Sequence, residues 1–373
     1  MNEGADRKNN NLSNELEWRL FQKDEQFLYP DAEERSYTQD KSNRNLAIHW
    51  GQRKLALTIL QFLNLYWNSD TRPTIVYAGA AGGANINFLA KLFPEAEWHL
   101  YDPSKFAITR SNNIKINTGE SGLFTDETAK QWGEAVKEGR VVLFISDIRN
   151  LGIESGNINK NNRQTIEREI WNDMKTQQRW VNLIKPHAAS LKFRLPYPYS
   201  DIQFDNDIEP GTETVPYLSG ILYLQPYGGV TSTESRLVVI PDENNQLLSS
   251  NWNLKNYESQ MFYHNTVTRE RIRYYNPIAE DENIDSKDPI DNLSSNPELV
   301  NRWDDLTEYS ILNDYLITRG VKDRHEKILA LSKILTGDIS PTTQEINLNL
   351  LRRNPNYIKI SKGKSKGKGK RRR

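Results

Sequence analysis

The chain has 373 residues, 36% of them apolar, with 49 basic and 49 acidic residues and no cysteine. That length accommodates one large α/β domain with extensions or two modest domains, and the low apolar share says that part of it lies outside any core. Without thiols there are no disulfides, no thiolate metal site and no cysteine nucleophile, and the five histidines include no pair at metal-ligand spacing.

No apolar run is long enough to span a bilayer and none has the form of a signal segment, so the expectation is a soluble intracellular protein. Residues 1–14 are polar, Asn-rich and aperiodic, and read as a disordered N-terminus. Glu15 to Glu34 carries Trp18, Leu20, Phe21, Phe27, Leu28 and Tyr29, too aromatic for a linker, and reads as an arm packed on the body with Tyr29 exposed. Arg44 to Trp67 is predicted helical, because Leu55, Ile59, Phe62, Leu63 and Tyr66 recur on one face, with Gln52 and Lys54 ahead of that stripe. Pro73 ends it.

A β-branched run, Ile75-Val76-Tyr77-Ala78, then feeds a turn from Gly79 to Asn85 and an amphipathic run from Ile86 to Phe93. Such a strand, turn and helix brings backbone N–H groups to a ligand at a helix N-terminus. Gly79 and Gly83 are not in G-x-G-x-x-G spacing. About 20 residues on, Glu97 to Asp102 reads as a second strand ending in a carboxylate able to take both hydroxyls of a ribose. The pattern suits S-adenosylmethionine at least as well as a dinucleotide.

Further along, Ile114 to Ile116 is a short predicted strand and Asp126 to Val136 a helix that Thr125 can cap. Arg140 to Asp147 is the strongest buried strand, five apolar residues running into Ser146 and Asp147. Asn150 to Asn162 is a polar loop, Arg163 to Ile184 a helix, and His187 to Arg194 a strand. Tyr217 to Leu224 and Glu234 to Ile240 read as an antiparallel pair, Ala279 to Asn292 as an acidic solvated loop, and Trp303 to Leu316 and Glu326 to Leu335 as helices. The pattern is an α/β fold, Rossmann-like, with a mixed, mostly parallel sheet flanked by helices. No boundary is visible inside 40–340, so 15–340 is expected to form a single domain with its arm, and 341–373 an extension ending in a disordered basic tail.

Four polar residues stand at element ends where a core would favour apolar ones: Lys54, Asp147, Lys192 and Glu234. Singly, each reads as a solvated charge. Jointly, three of them follow successive strands of one sheet, and beside an S-adenosylmethionine pocket the set has a chemical use. A ribose 2′-hydroxyl is a weak nucleophile, so a base must take its proton as it attacks the sulfonium methyl. Lys192 would be that base, Lys54 or Arg149 the neighbouring cation, and Asp147 and Glu234 the positioning groups.

These residues resemble the poxvirus family of cap-specific mRNA 2′-O-methyltransferases, which also serve as regulatory subunits of a viral poly(A) polymerase. The matching blocks are Trp50-Gly51-Gln52-Arg53-Lys54-Leu55, Tyr77-x-Gly79-x-Ala81-x-Gly83, Ile145-Ser146-Asp147-Ile148-Arg149, Ser190-Leu191-Lys192-Phe193-Arg194-x-Pro196-Tyr197-Pro198, Glu234-x-Arg236-Leu237 and Asn256-Tyr257-Glu258. The resemblance implies a methyltransferase domain, a catalytic tetrad on Lys54, Asp147, Lys192 and Glu234, and S-adenosylmethionine as cofactor. Its contacts would be Gln52, Tyr77, Gly79, Gly83, Asp102, Thr125 and Asp147. An arginine that follows the ribose acid in the family is Ser104 here, with Lys105 beside it.

The substrate implied is a 5′-capped mRNA, with no metal and no membrane. Two rings would sandwich the cationic 7-methylguanine and carboxylates would bind its edge. Tyr197 and Tyr29 match the rings and Glu258 one carboxylate. The other carboxylate's position is held by Tyr199, leaving Asp201 or Asp205 to substitute, and a cap-pocket tyrosine is Thr231 here. Arg149 and Arg194 would contact RNA. The resemblance further implies a poly(A) polymerase catalytic subunit as partner, so that an RNA-clamping processivity role is the alternative reading. The location implied is the cytoplasm, in a virion or viral factory. The same tetrad on ribosomal or transfer RNA is a third reading.

The zero net charge averages two unlike parts. Nine basic residues and no acid occupy 359–373, which leaves 40 basic against 49 acidic residues in the body. Lys362, Lys364, Lys366, Lys368, Lys370 and Arg371, spaced by Gly and Ser, would attract phosphate without sequence preference. Removing residues 359–373 is therefore expected to weaken RNA binding most at low salt, measured by filter binding across a salt series. Unchanged affinity at low salt would exclude the tail from RNA binding.

Overall fold

The computed structural model describes residues 17–38, 49–66, 72–108, 111–149, 163–197, 203–275, 293 and 299–338. The first half carries β1 (Glu17–Leu20), β2 (Phe27–Leu28), α1 (Gly51–Tyr66), β3 (Thr74–Ala78), α2 (Ala84–Leu92), β4 (Glu97–Tyr101), β5 (Ile114–Asn117), α3 (Asp126–Lys137) and β6 (Val142–Ser146). The second carries α4 (Arg163–Ile184), β7 (Ala188–Phe193), β8 (Thr214–Leu218), β9 (Ile221–Tyr223), β10 (Ser235–Val239), β11 (Ser249–Asn253), α5 (Leu254–Tyr263), β12 (Ile272–Tyr275), α6 (Trp303–Thr318) and α7 (Arg324–Asp338).

Eight strands form one sheet in the order β2-β9-β10-β7-β6-β3-β4-β5. The five from β7 to β5 are parallel, and β10, β9 and β2 extend them antiparallel. From β3 the chain steps outward to β4 and β5, then returns through β6 to β7. Right-handed crossovers therefore put α2 on one face and α3 and α4 on the other. Helices α1, α2, α6 and α7 pack on one another, and α3 packs on α4. Covered on both faces, β3 and β6 are buried at every residue and are rich in β-branched and aromatic side chains. Their adjacent C-terminal ends form the switch point of the sheet, where ligands bind in folds of this kind.

Most predicted elements fall within a residue or two of the observed ones, and Thr125 does cap α3, its hydroxyl oxygen accepting the Thr128 N–H at 3.2 Å. Three expectations need correction. The first helix begins at Gly51: His49 and Trp50 are not helical, and the Trp50 ring instead packs edge-on against Tyr227. The stretch Tyr217 to Leu224 is two strands, β8 pairing with β11 and β9 with β10. The break comes at Gly220, where a Cβ would lie 2.3 Å from the Val238 carbonyl oxygen. The arm is more structured than expected, with β1 paired in parallel to β12 and β2 added to the edge of the main sheet. The first 14 residues and the basic tail lie outside the described residues. Among the described residues no helix is long and apolar enough to cross a membrane.

Helix α6 is buried on nearly every side, polar residues included. Its Glu308 takes a bidentate pair from Arg53 of α1, at 2.8 and 2.6 Å, with neither side chain exposed. Ser332 of α7 donates to the same carboxylate at 2.7 Å. The Tyr227 hydroxyl lies 2.7 Å from both Glu308 and Asp305. It has one proton to share between the two carboxylates. Burial and the Glu308 charge accordingly hold the Asp305 carboxyl well above its ordinary range. Asp304 accepts the Tyr227 N–H at 2.7 Å and pairs with Arg269. Glu308→Ala would leave Arg53 buried without its nearest counter-charge, and a loss of about 3–5 kcal/mol is expected in urea unfolding. A loss below about 1 kcal/mol would show that water or relaxation replaces the pair.

Candidate functional site

The C-terminal ends of β3, β4, β6 and β7 and the start of β10 meet at the switch point, and the predicted tetrad assembles there. Lys54, one turn into α1, lies 2.5 Å from Glu234, which immediately precedes β10. Lys192, near the end of β7, lies 3.2 Å from Asp147 and 3.6 Å from Glu234. Arg149 reaches Glu234 at 3.7 Å and the buried Asp173 at 3.9 Å.

Lys192 is held through its backbone. Strand β6 ends at Ser146, opposite Leu191, so it cannot satisfy the next residue of β7. The side-chain amide of Gln177 in α4 takes its place, accepting the Lys192 N–H at 3.1 Å and donating to its carbonyl at 3.0 Å. Arg236 is the direct partner of Lys192 across the antiparallel pair β7–β10. Its guanidinium donates to Asp147 and, at 2.9 Å, to the Ser146 carbonyl. Two adjacent like charges are thus bridged by one carboxylate.

Four cations surround Asp147, Glu234 and Asp173. Burial alone would push the Asp147 carboxyl up, but Arg236 and then Lys192 outweigh it and hold it below its ordinary range. Burial opposes ionisation of Glu234 as well, and Lys54, Lys192 and Arg236 together hold that carboxyl well below. Both acids are therefore anions at neutral pH, suited to orienting ammonium groups and a hydroxyl and unsuited to donating protons. The described residues contain no group of three or more histidines, aspartates or glutamates able to hold a metal ion.

Beside this cluster lies a site suited to the expected cofactor. Gly79 has φ +80°, and a Cβ there would stand 2.8 Å from the Asp147 carbonyl carbon, so only glycine permits the close approach of these two strand ends. The Asp102 carboxylate accepts the N–H groups of Ala81 at 3.2 Å and Ser104 at 2.8 Å, which fixes it and leaves further acceptor positions for a ribose diol. Buried Gln52 Oε1 and Asn85 Nδ2 have no hydrogen-bond partner among the described residues. One unsatisfied polar atom in the first turn of α2, straight after the Gly-rich turn, and another in the first turn of α1 fit a polar ligand completing them. Tyr77 is buried in β3, while Gly83 takes φ +75° at the start of α2. Thr125 spends its hydroxyl on the α3 cap. A depression of about 650 Å³, lined by Lys105, Phe106, Ile108, Ile114, Ile116 and Thr118, has room for a purine ring.

A second cavity, of about 250 Å³, is lined by Tyr37, Tyr197, Thr231, Thr233, Glu258 and Phe262, with Asn265. The predicted cap residues Tyr197 and Glu258 meet there, and burial holds the half-buried Glu258 carboxyl above its ordinary range. Tyr29 does not line it. That ring is 46% exposed and packs edge-on against Phe27, because the arm runs on along α5, its Arg35 N–H bonded to the Ser259 carbonyl at 3.1 Å. The arm then presents Tyr37, packed 5.2 Å from Phe262.

Arg194 also needs correction. It is a bidentate partner of Glu167 rather than a free cation for phosphate. Asp205 is engaged by Lys175 and Trp171, both at 2.6 Å, while Tyr199, Asp201 and the tail residues Lys362 to Arg371 lie outside the described residues. Sequence reasoning assigned no role to Arg236, Gln177, Tyr37 or Phe262. Arg236 was signalled by a charge inside an apolar strand; the others depend on pairings distant in sequence.

A family model described as poly A polymerase regulatory subunit matches residues 22–338. The cap-specific mRNA (nucleoside-2′-O-)-methyltransferase of fowlpox virus (strain NVSL) is 30% identical over 257 residues, which cover 64% of this chain and 74% of that protein. The protein of the same name from myxoma virus (strain Lausanne) is 28% identical over 264 residues, covering 67% and 71%. Among solved structures, bluetongue virus VP4, described as a multifunctional RNA-capping production line, matches with a TM-score of 0.36 at 12% identity. That match covers 77% of this chain but only 44% of VP4.

Arg236→Met would leave Asp147 buried beside Glu234 without its nearest guanidinium, at a cost of roughly 3 kcal/mol at neutral pH. A carboxylate with a depressed pKa stabilises the fold above its unfolded pKa and ceases to as pH falls. The deficit of Arg236→Met relative to the unsubstituted chain should thus shrink from pH 7 to about 3 in urea titrations. A deficit independent of pH would show that Arg236 acts through packing rather than through Asp147.

Proposed function

The chain belongs to the poly A polymerase regulatory subunit family, and from that premise we propose that it is a cap-specific mRNA 2′-O-methyltransferase. It transfers a methyl group to the 2′-hydroxyl of the first transcribed nucleotide, converting cap 0 to cap 1. The observation that carries the reading is the convergence of Lys54, Asp147, Lys192 and Glu234 beside the Gly79 turn and Asp102. S-adenosylmethionine, when bound, supplies an electrophilic methyl group on a sulfonium. Asp102 and Gln52 would hold that cofactor, and Gly79 lets its turn close against Asp147 beside it.

Lys192 would take the 2′-hydroxyl proton as that oxygen accepts the methyl group the cofactor would supply. Asp147 and Glu234 aim the Lys192 nitrogen, and Lys54 and Arg149 meet the negative charge developing on the oxygen. Tyr197 and Tyr37 stack the methylated guanine and Glu258 binds its edge, which sets the first nucleotide at the tetrad. On this reading the protein works in the cytoplasm, where a virus caps its own messages.

The family description favours a second role, as the RNA-holding subunit of a poly(A) polymerase. The tetrad favours the enzyme, since a clamp has no use for a partly buried lysine between two carboxylates. The test is labelled methyl transfer to 7-methylguanosine-capped, guanosine-capped and uncapped RNA, followed by digestion to locate the label. Label on the first ribose of the methylated-cap RNA is expected, with Lys192→Ala reducing the rate at least a hundredfold while cofactor binding is retained. Label on all three RNAs would remove the cap pocket from the reading. No label, with longer poly(A) products when a polymerase is added, would replace the enzyme by the clamp.

A further inference from the structure

The ring of Tyr197 is one wall of the 250 Å³ cavity, and a charged pair lies against it. The Arg194 guanidinium lies over the ring, 4.2 Å from its centroid. Glu167 of α4 accepts both terminal nitrogens of that guanidinium, at 3.1 and 2.8 Å, and the Tyr197 backbone N–H at 3.1 Å. The side chains are 12% and 4% exposed, so solvent does little to screen the pair. A carboxylate from a separate helix thus pins both the ring's backbone and the cation behind it.

A ring has two faces, and Arg194 takes one, so a base entering the cavity stacks on the other. A cation on one face draws on the electron density that attracts a cation to the second face. An uncompensated guanidinium there would oppose the very selectivity that the cavity needs. We propose that the Arg194–Glu167 pair is a charge-compensated platform behind Tyr197, in which Glu167 is a positioning residue whose negative charge preserves discrimination of an N7-methylated from an unmethylated guanine base. This rests on the cap-binding reading of the cavity. It adds a residue on α4 outside the cavity wall, acting through the ring rather than on the ligand.

The experiment measures binding of 7-methyl-GTP and GTP to the full-length protein by calorimetry and takes the ratio of the two affinities. In Glu167→Gln the ratio is expected to fall at least threefold, and in the double variant Glu167→Gln/Arg194→Met to return to within twofold of the unsubstituted protein. A structural role alone would lower both affinities together and leave the ratio unchanged, which would overturn the proposal. Where Glu167→Gln does not fold, Arg194→Gln keeps a donor for Glu167 and removes the cation, so its ratio should hold or rise. A falling ratio there would mean that the guanidinium aids the ring, and would equally overturn it. Tyr197→Ala separates the two layers: loss of 7-methyl-GTP binding supports the ring as the stacking surface. Unchanged binding defeats the cap reading itself, whatever Glu167 does.

Discussion

The site depends on a pair of charges that never meets the substrate. Arg53 and Glu308 are wholly buried between α1 and α6, and each is the other's main compensation for leaving water. Arg53 stands next to Lys54 in α1, so anchoring one guanidinium fixes the helix turn that carries a tetrad ammonium. Tyr227, held by Asp304 and Glu308, lies in the loop that ends at Glu234, while Arg269 binds that loop at the Gly228 carbonyl, 3.1 Å away. Lys54 and Glu234, far apart in sequence, are therefore referred to one buried framework. Their short contact follows from two anchored backbones rather than from a flexible lysine finding a surface acid.

Within the site, the same physics works with the opposite emphasis. The tetrad charges are only partly buried, and cations outnumber carboxylates around them. Both acids stay ionised because guanidinium and ammonium groups overcome the penalty of burial. The surplus positive charge would suit the proposed polyanionic substrate. The ordering of the groups is done in advance by Gln177 and Arg236, so little rearrangement is needed at the moment of reaction.

How much of this is legible in the sequence follows from distance along the chain. The Gly79 turn, Asp102, Asp147 and Lys192 sit at the ends of strands that announce themselves by buried or alternating runs, and strand ends are where α/β sheets bind ligands. Glu234 is visible in the same way. Arg236 carries a signal, a charge within an apolar strand, but its partner is known only once β6, β7 and β10 are neighbours. Gln177 and Glu167 look like ordinary polar positions of a long helix, because what they hold comes later in the chain. The arm is the least legible part: Tyr29 has the sequence context of a stacking ring, yet the backbone path along α5 brings Tyr37 to the cavity instead. Arg194 reads as a phosphate contact until α4 places Glu167 against it.

The arm's pairing has a consequence for the order in which the molecule is made. Strand β1 is matched residue for residue with β12, from Glu17 opposite Ile272 to Leu20 opposite Tyr275. The first element described is thus completed by one some 250 residues later, a closure that comes late when local contacts form first. Until that strand emerges from the ribosome β1 has no partner, whereas the segment that ends in Tyr37 is tied by β2 at one end and by Ser259 and Phe262 of α5 at the other. The aromatic wall facing Tyr197 waits for α5, so a nascent chain that has reached Glu234 would hold Lys54, Asp147, Lys192 and Glu234 and still lack a finished second cavity.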